Sequence, residues 1–111
     1  MVIGTRVLTI RSPDADIPVP VQLCAPEYAD EHWIRRYTIA WPEHPRDSFG
    51  AGVDALQALH LTMQKIGIDL YSSAAHKAGT LMWDKFGDGY SFPIPKNGRD
   101  LLIGMDKIFE G

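Results

Sequence analysis

The hydrophobic period of this chain changes near Asp54. Before it, apolar residues alternate with polar ones; from there to about Leu70 they recur at every third or fourth position. A period of two describes a strand with one buried face, and a period near 3.6 describes a helix with one buried stripe. A chain of 111 residues built in this way buries both surfaces most economically by laying the helix on the sheet. The expected fold is α+β: an antiparallel sheet of about four to six strands with one long helix packed on one face. The length leaves room for one α+β domain, 1–111, whose core needs no disulfide or structural metal.

The alternation resolves into segments. Residues 5–10 read as a first strand. Ile17, Val19, Val21 and Leu23 share one face of a second, over 17–23. Pro18 and Pro20 fall on its other face, and because proline cannot donate to a ladder they predict an edge strand. Residues 33–41 form the third strand, with Trp33, Arg35, Tyr37, Ile39 and Trp41 on one face and Ile34, Arg36, Thr38 and Ala40 on the other. A short fourth strand covers 47–50. Turn-forming clusters at 11–16, 25–31, 42–47 and 87–89 separate these segments and the later ones.

Leu56, Leu59, Met63, Ile66 and Leu70 then form a helical stripe. The spacing predicts a helix from about Asp54 to about His76, roughly 30–35 Å long. Asp54 and Gln57 fit a capping box, with the carboxylate accepting from the Gln57 amide and the Gln57 side chain reaching back to the Asp54 amide. Gly79 is a suitable stop, and His76 and Lys77 complement the negative helix end. Gly67 marks a close backbone approach or a bend. Residues 80–84 and 90–94 flank Gly87-Asp88-Gly89 and read as a hairpin. Over 97–111, Leu101, Leu102, Met105, Ile108 and Phe109 suggest a short C-terminal helix, with a fraying tail or an oligomer contact as the alternatives.

Charge and composition narrow the function classes. The net charge is −3 and the eleven basic residues are scattered. The one adjacent pair, Arg35-Arg36, points to opposite faces of a strand, so the phosphate-neutralising patch of a nucleic-acid binder is not expected. No run approaches the ~20 apolar residues that span a bilayer, so no membrane partner is expected. The single cysteine, Cys24, rules out an intrachain disulfide and fits a reducing compartment. With no recognisable leader, the expectation is cytoplasmic. The four histidines, His32, His44, His60 and His76, have no metal-ligand spacing, and neither a metal nor a cofactor is expected.

Two groups of residues remain as site candidates. Trp33, Arg35, Tyr37 and Trp41 combine aromatics with a cation on one strand face, the composition of an interface hot spot if part of that face is exposed. Cys24, Asp54 and His60 are the first candidates for a ligand site near the helix start. No catalytic residue is assigned, because nothing places a base beside Cys24. Gly50-Ala51-Gly52 precedes the helix but lacks the Lys-Ser/Thr of a phosphate loop. Its glycines read as conformational.

The run Phe49-Gly50-Ala51-Gly52-Val53-Asp54-Ala55-Leu56-Gln57-Ala58-Leu59 resembles the helix entry of a family of small uncharacterised bacterial domains, a Gly-Val-Asp-x-x-Gln-Ala-Leu step following a few β-strands. The order of three strands followed by a helix also resembles that of small immunity proteins from bacterial toxin systems. The motif is helix-capping chemistry, and the resemblance implies no activity and no functional residues. The leading expectation is an uncharacterised, non-enzymatic protein-binding module, immunity-like, acting through its sheet edge or aromatic face. The alternatives are a small-molecule binder or small enzyme with its site at the start of the long helix, and a self-associating structural protein forming a homodimer.

Overall fold

The computed structural model describes residues 1–95 and residue 103. Its elements run β1 (Val2–Ile10), β2 (Ile17–Ala29), β3 (His32–Ile39), β4 (Arg46–Gly52), α1 (Ala55–Tyr71), α2 (Ala74–Lys77) and β5 (Leu81–Met82). The five strands form an antiparallel sheet in the order β4-β3-β2-β1-β5, and the fold is α+β as expected. Among the described residues no helix is long and apolar enough to cross a membrane. The chain divides into two compact units: Met1–Val7 with Val19–Met63, and Leu8–Pro18 with the described residues from Gln64 onward.

The first unit is built on the β2-β3-β4 ladder. The sequence places turn residues over 25–31, but β2 continues to Ala29. The register shifts between Leu23 and Pro26, and a bulge is where a residue without an N–H is tolerated inside a sheet. The connection to β3 contracts to Asp30 and Glu31, at φ 50° and 66°, the two positive values of a type I′ turn. The edge position expected for β2 is also corrected, since β2 lies at the centre of the order. Its pairing with β3 begins at Val21, and Pro20 contributes only its carbonyl, to the amide of Ala40. β3 ends at Ile39 rather than Trp41, and β4 is longer than the 47–50 expected.

The first half of α1 lies against β4 with almost no space between them. A Cβ on Gly52 would fall 2.5 Å from the amide nitrogen of Ala58, and one on Gly50 would fall 2.9 Å from the Cα of Thr62. The helix accordingly turns small residues to the sheet: Ala58 and Thr62 are fully buried. The Thr62 hydroxyl donates to the Ala58 carbonyl at 2.6 Å, so no polar group is stranded there. Leu56, expected in the buried stripe, is 75% exposed. It precedes Ala58 by two residues, about 200° around the helix, and so faces away.

The second unit holds the later half of α1, α2 and β5. The long helix expected to reach His76 ends at Tyr71. Ser73 is extended (φ −73°, ψ 154°), and its hydroxyl donates to the Leu70 carbonyl and accepts from the His76 amide, capping a new helix. Gly79 stops α2 at φ 73°, with Gly79 N–H on the His76 carbonyl and Thr80 N–H on that of Ala75. β5 pairs with β1 (Thr9↔Met82, Ile10↔Leu81). The hairpin expected between 80–84 and 90–94 does not form. Ser91 has φ 61°, Pro93 has no N–H to donate, and the segment lies on the helix instead. There a Cβ on Gly67 would fall 2.5 Å from the Pro93 carbonyl oxygen. Gly67 thus marks a close approach, one of its two expected roles. The helix expected over 97–111 lies outside the described residues, Ile103 excepted.

Two stability changes follow. Gly52→Ala is expected to cost about 1–3 kcal/mol, as overpacking does, read as a lower urea midpoint at unchanged slope. Glu31→Gly is expected to raise the midpoint, since a left-handed residue with a side chain carries about 1 kcal/mol of strain that glycine avoids.

Candidate functional site

In the first unit, residues that stand opposite one another in the ladder project to the same face. Tyr28, Trp33 and Gly52 form one such row, and Pro26, Arg35 and Gly50 form the row behind it. Both rows lie on the side covered by α1, because that is where the missing Cβ atoms of Gly50 and Gly52 would strike the helix. The Tyr28 and Trp33 rings are stacked, with centroids 5.4 Å apart and planes at 26°. Tyr28 is 59% exposed and Trp33 is half-buried. From Gly52 the chain passes directly to Val53 and the first turn of α1, where Val53 and Leu56 are both exposed. The row therefore ends in an apolar rim of Tyr28, Trp33, Val53 and Leu56.

Arg35 stands behind that rim, only 7% exposed. Its Nε and Nη1 are buried and have no hydrogen-bond partner among the described residues. The adjacent acid in the ladder, Glu27, pairs with Ile34 and so lies on the opposite face. There it accepts from Arg36 Nε at 3.0 Å. A guanidinium does not deprotonate in a protein, and leaving a buried charge unpaired costs several kcal/mol.

Of the expected interface residues, Trp33 and Arg35 thus fall in neighbouring rows on the face that the first half of α1 packs against. Tyr37 is fully buried in the core, and Trp41 is half-buried beyond the end of β3. The ligand-site candidates have separate settings. Asp54 caps α1, its Oδ1 accepting from the Gln57 amide at 2.7 Å. The returning bond comes one residue earlier than expected: Gln57 Oε1 accepts from the amide of Val53, not Asp54, at 2.7 Å. Cys24 is a half-buried free thiol on β2, and His60 is on the exposed side of α1. Tyr28 is the residue that sequence reasoning missed, because 25–31 read as a turn. The signal for it was the alternation of Pro26 and Tyr28 continuing past the bulge.

The second unit has its own polar cluster, which no sequence pattern announces. Tyr71, His76 and Tyr90 meet in pairs, with ring centroids 4.7, 5.2 and 5.5 Å apart. His76 Nδ1 is hydrogen-bonded to the Tyr90 hydroxyl. The Tyr71 hydroxyl accepts from the Ile103 amide at 3.4 Å. Burial holds the His76 pKa below the ordinary 6.5, because a partly desolvated imidazolium is disfavoured. Both tyrosines are almost completely buried.

Residues 4–94 match the family described as a domain of unknown function, DUF6968. No curated protein and no solved structure matches the chain.

His76 makes stability depend on pH with a definite sign. Its folded pKa is lowered, so the unfolded chain binds the proton first on acidification. The His76 contribution is complete above about 6.5 and declines as the pH falls from there through the folded value. In His76→Gln that part of the decline is expected to vanish, seen as a difference between wild-type and variant denaturation midpoints that changes from pH 7.5 to 5.5.

Proposed function

For a chain that belongs to the DUF6968 family, we propose a non-enzymatic protein-binding module, immunity-like in kind, that grips its partner with the rim at the start of α1. The observation that carries this reading is the stacked Tyr28–Trp33 pair, with exposed Val53 and Leu56 where the chain enters the helix. Aromatic residues backed by an arginine are the groups that dominate binding energy at protein interfaces. Tyr and Trp present large rigid surfaces with few rotatable bonds, so little side-chain entropy is lost when a partner covers them.

The scaffold supports this use. The rim stands on a strand ladder and on a helix start fixed by side-chain bonds from Asp54 and Gln57. A partner would meet a surface that needs little ordering, and such preorganisation favours affinity. The Arg36–Glu27 pair and Phe49 lie on the other face of the ladder, with Phe49 opposite Arg36. That face provides a control surface of similar exposure.

The test is affinity capture from a lysate of the source organism with the tagged chain, followed by binding measurements on the purified pair. Leu56→Asp and Tyr28→Ala are expected to weaken binding by about tenfold or more, as interface anchors do, with unchanged circular dichroism. Phe49→Ser is expected to leave it unchanged. A partner lost with Phe49→Ser but kept by Leu56→Asp would overturn this placement.

A further inference from the structure

Arg35 is more than part of the rim's support. We infer that its guanidinium is a receptor for a single carboxylate, supplied by an aspartate or glutamate side chain of the protein that the rim binds; this rests on the protein-binding reading above. Three observations carry it. Arg35 is 7% exposed, and Nε and Nη1 are buried without an acceptor among the described residues. The adjacent acid in the ladder, Glu27, is engaged by Arg36 on the opposite face. The row in front of Arg35 is the Tyr28–Trp33 stack, which ends at the surface.

A buried donor without a partner in a folded protein calls for an explanation, and a group that binds there is one of the few available. The guanidinium presents a planar fork on its Nε side and another between its two terminal nitrogens, both matched to an oxyanion. Each of these forks contains an unpartnered nitrogen. Charge selects among oxyanions. The ladder rows on either side of Arg35, Tyr28–Trp33–Gly52 and Leu23–Tyr37–Ser48, contain no second cation. A carboxylate would balance the single positive charge. A phosphate dianion would leave a net negative charge buried, which is costly. Complementary charge then does what apolar contact alone cannot, rejecting partners that lack the acid at that place.

The test uses the whole chain and the Arg35 Nε–Hε resonance in nitrogen-15 spectra. Acetyl-Ala-Glu-Ala-amide is expected to shift that signal saturably, and the Gln counterpart to leave it in place. Arg35→Met is expected to abolish the response and raise the melting temperature by roughly 4–8 °C, because an unpaired buried charge is gone. Arg35→Lys, which keeps the charge and loses the fork, is expected to bind the Glu peptide about tenfold more weakly. A signal unmoved by the Glu peptide, or moved equally by the Gln peptide, overturns the inference. So does a signal that responds to acetate but not to the peptide, which would indicate a free small carboxylate. A stronger response to inorganic phosphate at equal ionic strength overturns the choice of a monoanion, and a lowered melting temperature for Arg35→Met would show that the charge is satisfied within the fold. A captured partner lost with Leu56→Asp but kept by Arg35→Met would leave the binding module standing and remove this inference.

Discussion

The contact between α1 and β4 determines most of what the first unit presents to solvent. Two strand glycines, two positions apart, let the helix backbone come within reach of the strand backbone. At that separation only small side chains fit between, and Ala58 and Thr62 occupy the inner side of the helix. The rotation of α1 about its axis is thereby fixed, and with it the outward direction of Leu56. Dispersion gain from such close packing is spread over many weak atom pairs. A single added methyl therefore acts on the whole arrangement rather than on one contact.

The same contact explains why the rim exists. A helix held farther from the sheet could have turned Leu56 and Leu59 inward and hidden the apolar surface at its start. Instead, Leu59 and Met63 are only half-buried at the flanks of the inner stripe, and Leu56 stays in water. Exposed leucines are ordinary singly. This one lies in the first turn, three residues beyond Val53, and the strand leading into that turn pairs with the one carrying Trp33. The arrangement is a consequence of where glycine was placed in β4, before any residue of the rim is considered.

Much of this was legible in the sequence because it depends on local rules. The period change located the sheet-to-helix junction. Asp54 and Gln57 are recognisable as a cap at a distance of three residues, although the partner amide of Gln57 proved to be Val53. Gly79 is a recognisable stop, and the two glycines before the helix were readable as conformational. Several misreadings involve longer-range facts. The prolines of β2 argue for an edge when read locally, yet their position relative to the β3 register makes a central strand acceptable. Pattern alone assigned Leu56 to the stripe, because hydrophobicity does not record how close the helix comes to its neighbour. Residues 90–94 look like a strand until Gly67, more than twenty positions earlier, offers them a seat on the helix. The Trp33–Arg35 pair was visible as a composition, but burial of the guanidinium without an acceptor is a property of the packed ladder.

Arg35 also bears on how stability is distributed in this fold. A methionine of similar length at that position would satisfy the apolar surroundings, and mutational series on buried ionic groups show such replacements to be neutral or favourable. The row behind the Tyr28–Trp33 stack is therefore occupied by a residue that folding alone does not favour. Local rules and packing agree nearly everywhere else in the unit: the bulge accommodates Pro26, the cap satisfies the helix start, and Thr62 bonds within its own helix. Where a sequence is consistent at every level but one, the exception is expected at a functional or a strained site. In this unit the exception stands one ladder row behind the exposed aromatic rim, so the unsatisfied charge and the surface proposed for binding lie side by side.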